Sequence, residues 1–183
     1  IHVRSRAPAW IVLPVAAALD IPTVSTVHGR FLARSAFKRR YNGKLLKVDH
    51  VIAISNYVKD LITSQYYGVE DRLSVVHRGV DVDLFNPQKI NQTRIVNFVD
   101  DLAVPEDVPV IMLPARATKW KGHHILLKAL AKIKDHSFIC LMIDAGDGKP
   151  TFVKGLVSFG TELGLEGRFR LTPIIDDMPA ALM

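Results

Sequence analysis

Cysteine is nearly missing from this sequence: Cys140 is the one residue of its kind in 183. That excludes a disulfide framework and a metal site built on thiolates, and it makes a reducing cytoplasm the natural setting. No run of about 18 apolar residues occurs, so no transmembrane helix is expected. The longest candidate, Ala7 to Leu19, is too short and carries two prolines. The GxGxxG and Walker A patterns are absent, as are GxSxG, HExxH and CxxC. A nucleophilic hydrolase or a zinc enzyme therefore finds no support. Prolines and glycines are scattered and no fixed period repeats, which argues against disorder, low complexity and solenoids. The first residue is Ile1 rather than methionine, inside an apolar strand-like run, and this reads as truncation rather than a signal peptide.

What is present is an ordinary globular composition, 49% hydrophobic and 23% charged, with a net charge of +6. The charge is uneven. Residues 1–88 hold twelve Lys and Arg against seven Asp and Glu, whereas residues 89–183 hold twelve against eleven. Between Arg30 and Lys47 lie seven basic residues and no acidic one. Such a cluster attracts a polyanion: nucleic acid, anionic lipid or a phosphorylated substrate. A merely solvated basic helix face fits the same residues about as well.

Short apolar runs alternate with helical periods. Strands are predicted at the chain start through Arg4, at Thr23–Val27, Val51–Ile54, Leu73–Val76, Val108–Leu113, Phe138–Ile143 and Arg168–Leu171. Helices are predicted for Trp10–Leu19, with Pro14 kinking it or delaying its start, and for a segment whose inner face is Phe37, Tyr41, Leu45 and Val48. Ser55 is placed to cap a helix facing inward through Val58, Leu61 and Ile62 and stopping at Gly68. Further helices span Ile90–Leu102, Lys121–Lys134 (inner face Ile125, Leu126, Ala129, Leu130 and Ile133) and Pro150–Leu163, and Asp177 is placed to cap a last one. Asn86-Pro87 breaks the chain and suggests a domain boundary near residue 88. Strands that are apolar throughout, alternating with helices, indicate parallel sheets covered on both faces: α/β structure, seen twice.

Ligands of such sheets sit beyond the carboxyl ends of the strands, so the residues after each strand are the candidates. His28-Gly29 follows the strand Thr23–Val27, and a histidine there can hydrogen-bond a sugar hydroxyl or a phosphate. Arg116 follows the strand Val108–Leu113, and Lys121-Gly122 opens the next predicted helix. An arginine fork, a lysine point charge and a helix N-terminus together suit a diphosphate and stabilise it as a leaving group. Gly146-Asp147-Gly148 follows the strand Phe138–Ile143 and lets a nucleotide approach closely, although such glycines more often form ordinary turns. The adjacent His123 and His124 point in different directions and are not read as a metal pair.

These segments resemble family 4 glycosyltransferases. The resemblance is carried by Val76-His77-Arg78-Gly79-Val80-Asp81 with Phe85 and Pro87, by Leu113-Pro114-Ala115-Arg116 continuing to Lys121-Gly122, and by Ala145-Gly146-Asp147-Gly148. Thr26-Val27-His28-Gly29 and Ile52-Ala53-Ile54-Ser55 precede them in the family's order. The opening His2-Val3-Arg4-Ser5-Arg6-Ala7-Pro8-Ala9-Trp10 is similar to a bacterial subgroup linked to cell-surface polysaccharide or lipopolysaccharide biosynthesis. The resemblance implies a GT-B-like fold of two Rossmann-like domains with parallel sheets, both incomplete in this chain. Residues 1–88 would be the C-terminal part of the acceptor-side domain, and 89–183 the first part of the donor-nucleotide domain.

It also implies a retaining hexosyl transfer from a nucleotide-diphosphate sugar to a glycan or lipid-linked acceptor, with no metal or other cofactor required. His28, Arg116 and Lys121 would be catalytic. Arg116, Lys121, Gly122, Gly146 and Gly148 would bind the donor. The setting implied is the cytoplasm, peripheral on the inner face of an anionic membrane. The family's glycine-rich loop would lie before Ile1 and its paired glutamates after Met183, so the chain by itself is expected to be inactive. A nucleotide-sugar epimerase or another GT-B enzyme is the alternative within the fold. A basic nucleic-acid-binding module is the alternative outside it, weakened by the lack of interleaved exposed aromatics or a recognised motif, so no nucleic acid partner is expected.

Overall fold

The computed structural model describes residues 1–29, 35–143 and 149–183. Arg30 and Arg34 of the basic cluster, and Gly146 and Gly148, lie outside the described residues. The chain forms two compact units, Ile1–Val80 and Asp81–Met183.

In the first unit, strands β1 (His2–Val3), β2 (Val24–Val27), β3 (His50–Ala53) and β4 (Leu73–Val75) form one parallel sheet in the order β1-β2-β3-β4. Period-two alternation sends Val3, Ser25, Val27, Val51, Ala53 and Leu73 to one face. There the apolar members meet Ala9 and Leu13 of helix α1 (Arg6–Ala18) and Val58 and Ile62 of helix α3 (Asn56–Thr63) in one core. The other face presents His2, Thr26, His50 and Ser74. It is bound across strands by His2 Nε2 to Thr26 Oγ1 at 2.8 Å and His50 Nε2 to Ser74 Oγ at 2.8 Å. The apolar cluster described for this unit lies on the first face. The apolar strand run is broken by histidine and hydroxyl residues at alternate positions.

Three local expectations are corrected. Pro14 does not delay α1, which begins at Arg6 and runs through it. The helix after Ser55 is capped as expected, Ser55 Oγ accepting from the Val58 amide at 3.3 Å, but it ends at Thr63. Gly68, with φ of 74°, instead turns the chain beyond it. The segment from Phe37 to Val48 is two pieces: helix α2 (Ala36–Gly43), then a 3-10 turn (Lys44–Leu46). The tighter turn shifts the phase, so Leu45 and Val48 are buried while Phe37 is 81% exposed.

In the second unit, β5 (Val110–Pro114), β6 (Ile139–Ile143) and β7 (Phe169–Leu171) form a parallel sheet in the order β5-β6-β7. All five residues of β6 are buried, as a central strand covered on both faces requires. Cys140 and Met142 pack with helices α5 (His123–Ala131) and α6 (Pro150–Glu162). Ile139, Leu141 and Ile143 pack toward Phe98 of helix α4 (Gln92–Asp101) and Met178 of helix α7 (Met178–Ala181). Burial pushes the Cys140 thiol up to about 11, which keeps it an inert apolar filler.

Arg94 on α4 grips the Asp177 carboxylate with two nitrogens, Nε at 2.8 Å and NH2 at 2.6 Å. Asp177 also caps α7 by accepting from the Ala180 amide at 3.1 Å, as the sequence led us to expect. The Arg94 bond first, and then that amide, hold its carboxyl at about 2.

Candidate functional site

Each sheet delivers its polar candidates to its own carboxyl edge. In the first unit, β1 ends at Val3 and releases Arg4, β2 ends at Val27 and releases His28, and β4 ends three residues before Arg78. Because the strands are parallel, all three residues emerge on the same edge of one sheet. An Arg78 guanidinium nitrogen lies 2.9 Å from His28 Nδ1, and Arg4 Nε lies 3.5 Å from His28 Nε2.

Arginine only donates, so each guanidinium meets a ring nitrogen as a donor, and a neutral imidazole can accept from one of the two at a time. Partial burial, then the charges of Arg78, Arg4 and His2, lower the His28 pKa from its ordinary value. The lowered pKa favours the neutral ring.

His28 is the sequence candidate; Arg4 and Arg78 were missed as site residues. The signal was available, since both lie just beyond strand ends, but the strand was read through Arg4 and Arg78 was read as part of a turn.

In the second unit, Arg116 lies two residues past the end of β5, exposed and without a hydrogen bond or ion pair among the described residues. The buried His123 holds the loop beside it: His123 Nε2 donates to the Ala115 carbonyl at 3.1 Å. Burial lowers the His123 pKa, the Ala115 bond opposing it in part, so this ring is a neutral anchor. Lys121 is not in the α-helix as expected. It ends a 3-10 turn (Lys119–Lys121), and Gly122 takes the left-handed conformation, φ 85°, before α5 starts at His123. A left-handed residue reverses the chain direction, and only glycine adopts it without strain. Lys121 Nζ sits 4.4 Å from the centroid of the exposed Trp120 ring, a cation–π contact that leaves its protons available.

A cavity of about 590 Å³ lies at the amino edge of the first unit's sheet, lined by Leu13, Thr23, Asp49 and Arg72 among others. Several of its polar groups are matched within the protein. Asp49 accepts from the Thr23 amide and hydroxyl at 2.6 and 2.8 Å, and Arg72 donates to the Leu46 and Val48 carbonyls at 2.6 and 2.5 Å.

The described part of the basic cluster is also aromatic. Trp10 and Tyr41 stack with centroids 6.2 Å apart, Lys44 lies 5.5 Å from the Trp10 ring, and Arg39 lies 5.7 Å from the Tyr66 ring. With Phe37 turned outward beside Lys38 and Arg40, exposed aromatics do interleave with the cations. The lack of such aromatics thus no longer counts against a polyanion surface.

Residues 1–84 match Glycosyltransferase Family 4. A D-inositol 3-phosphate glycosyltransferase of Xylanimonas cellulosilytica is 26% identical over 172 residues, which cover 86% of this chain and 40% of that protein. The crystal structure of a glycosyltransferase from Rickettsia africae is 33% identical and superposes with a TM-score of 0.85 over 98% of this chain and 48% of its own. Anabaena HepE, solved in complex with UDP-glucose, superposes at 0.84 with 23% identity over 99% of this chain and 50% of its own, and shows the shared fold. The chain spans half the length of these relatives or less.

Proposed function

Because this chain belongs to the family 4 glycosyltransferases and has the GT-B α/β fold, we propose that the protein it comes from moves a sugar from a nucleotide-diphosphate donor to an acceptor, with retention at the anomeric carbon. The observation that carries this is the second unit's carboxyl edge. Arg116 and Lys121 are two cations without carboxylate partners among the described residues, on a loop that His123 anchors. A departing nucleoside diphosphate gains negative charge as the glycosidic bond breaks, and cations fixed in advance stabilise that charge. In this reading the first unit is the acceptor side and the second the donor side, with His28 contributing a ring nitrogen. No metal is needed where two cations supply the charge. The test is to supply the full-length protein with UDP-glucose and follow the anomeric proton of the product by NMR. Transfer with the donor's anomeric configuration kept is expected; an inverted product, or a free epimerised nucleotide sugar, refutes the reading. The epimerase alternative is the weaker of the two against these relatives.

The acceptor is proposed to be lipid-linked or a cell-surface glycan, reached from the cytoplasmic face. The support is the basic and aromatic surface of α2. Lys38, Arg39, Arg40, Lys44 and Lys47 carry no acidic residue among them, and Phe37 projects from their midst. The cytoplasmic leaflet is anionic, and each cation near it contributes on the order of 1 kcal/mol. Co-sedimentation with phosphatidylserine vesicles is expected at low salt, weakening as salt rises and falling when Phe37 and Arg40 are both replaced by alanine. Equal binding to neutral vesicles defeats the membrane reading, and a salt-sensitive gel shift with single-stranded RNA moves the surface to the nucleic-acid alternative.

A further inference from the structure

Trp120 is 76% exposed and belongs to neither apolar cluster of the second unit, so its indole adds little to the core. What it does meet is a cation. Lys121 Nζ lies 4.4 Å from the ring centroid, within the range at which the negative face of an aromatic ring attracts an ammonium.

The backbone around the pair leaves little to vary. The Lys121 amide donates to the Thr118 carbonyl at 3.1 Å and closes the 3-10 turn, and the left-handed Gly122 follows. The remaining freedom of Lys121 is in its side chain. Its flexible stem lets the ammonium sweep a wide volume, and fixing it carries one of the larger rotamer costs of any residue. Among the described residues the ion pairs are Lys89 with Asp83 and Arg94 with Asp177, so the restraint on this lysine is not a carboxylate. The indole face limits its mobility instead. The difference matters for a phosphate site. A carboxylate would hold the ammonium but also neutralise it and repel an incoming phosphate. An uncharged ring restrains the ammonium from one side and leaves its charge, and the protons turned away from the ring, to another acceptor.

We propose that Trp120 is a positioning residue for the donor diphosphate: its indole face holds the Lys121 ammonium before the ligand arrives and while it is bound, and so raises diphosphate affinity without touching the ligand. This rests on the reading of Arg116 and Lys121 as the donor-diphosphate cations. Part of the ordering cost that binding otherwise meets is removed in advance. An exposed contact of this kind corresponds to a change of about two- to fivefold in affinity. Because the contact persists from the ground state to the transition state, its loss raises the donor KM and leaves kcat unchanged.

The test follows Lys121 by NMR in the full-length protein with isotope-labelled lysine, its signal identified by its loss in Lys121→Met. Inorganic pyrophosphate is the probe, since it carries the charge common to nucleoside diphosphates. In the free protein the ring should displace the Lys121 ε-methylene protons upfield. Trp120→Leu should abolish that displacement and Trp120→Phe should keep it. Pyrophosphate should shift the signal saturably, with an affinity weakened about two- to fivefold in Trp120→Leu and little changed in Trp120→Phe. The donor KM should rise by the same factor at constant kcat. In a Lys121→Met background, adding Trp120→Leu should cost nothing further. Equal losses in the two backgrounds would mean that the indole shapes the loop or touches the ligand itself, and would overturn the proposal. An undisplaced methylene in the free protein, or undiminished pyrophosphate affinity in Trp120→Leu, overturns it as well. If Lys121→Met binds pyrophosphate and turns over the donor like the unaltered protein, the donor reading of the loop fails and the proposal falls with it. The expected pattern of pyrophosphate binding in a protein that transfers no sugar would refute the transferase and leave the positioned lysine standing.

Discussion

Arg116→Ala and Lys121→Ala are each expected to lower the rate of sugar transfer by the full-length protein on the order of 10²-fold, comparable to removing one oxyanion donor in other enzymes. The parallel sheet is the reason for Arg116. β5 pairs in register with β6 from Val110 to Pro114, so the chain leaves the sheet at its carboxyl edge and Arg116 follows at once. His123 then fixes the loop through the Ala115 carbonyl, which limits the freedom of its neighbour without touching the ligand.

The reason for Lys121 differs from the one its spacing suggests. It lies in a 3-10 turn, and the turn at Gly122 separates it from α5. Its contribution is therefore a mobile point charge rather than a residue of the helix start. Arg116→Lys should not restore the rate, because an ammonium cannot reproduce a bidentate fork. Lys121→Arg should recover much of it, since a point charge is less demanding of geometry. Steady-state kinetics on the four variants decides the matter. Near-normal turnover and donor affinity in both alanine variants would reduce the loop to a solvated basic turn.

The second large effect is on stability. Leu127→Ala should destabilise the second unit by roughly 2–5 kcal/mol, the usual range for emptying a buried leucine site. Ile125→Ala should change it by no more than about 0.5 kcal/mol, as exposed positions usually do. The two residues are two apart on α5 and chemically alike, yet Leu127 is fully buried and Ile125 is 75% exposed. Against total stabilities of about 5–15 kcal/mol, the first loss is large enough to shift a urea midpoint plainly. Equal losses in the two variants would mean that α5 packs in the phase the sequence suggested and not in the one described.

That contrast shows where the residues were legible. The inner face predicted for this helix was Ile125, Leu126, Ala129, Leu130 and Ile133. Leu130 is buried and Leu126 packs against the core, but Ile125, Ala129 and Ile133 are exposed, while His123 and Leu127 are buried in their place. Periodicity groups residues into stripes, but which of two neighbouring apolar stripes faces the core is decided by packing, here the one with His123, Leu127 and Leu130. The same failure affected Phe37, where the 3-10 turn at Lys44–Leu46 changed the pitch within one apparent period. Gly146 and Gly148 lie outside the described residues and are left as the donor-binding expectation the resemblance carried.

The sequence by itself determined the alternation of strands and helices, the parallel sheets that follow from apolar strands joined by crossover helices, and the caps at Ser55 and Asp177. Each of these depends on residues within one turn or one strand of each other, where local sterics and hydrogen bonding decide. Tertiary structure alone decided which faces are buried, and it alone made the first unit's site. Arg78 reaches His28 across 50 positions and Arg94 reaches Asp177 across 83. Nothing local in the chain marks such a partner. Only the pairing of four strands brings the Arg78 guanidinium within 2.9 Å of the His28 ring.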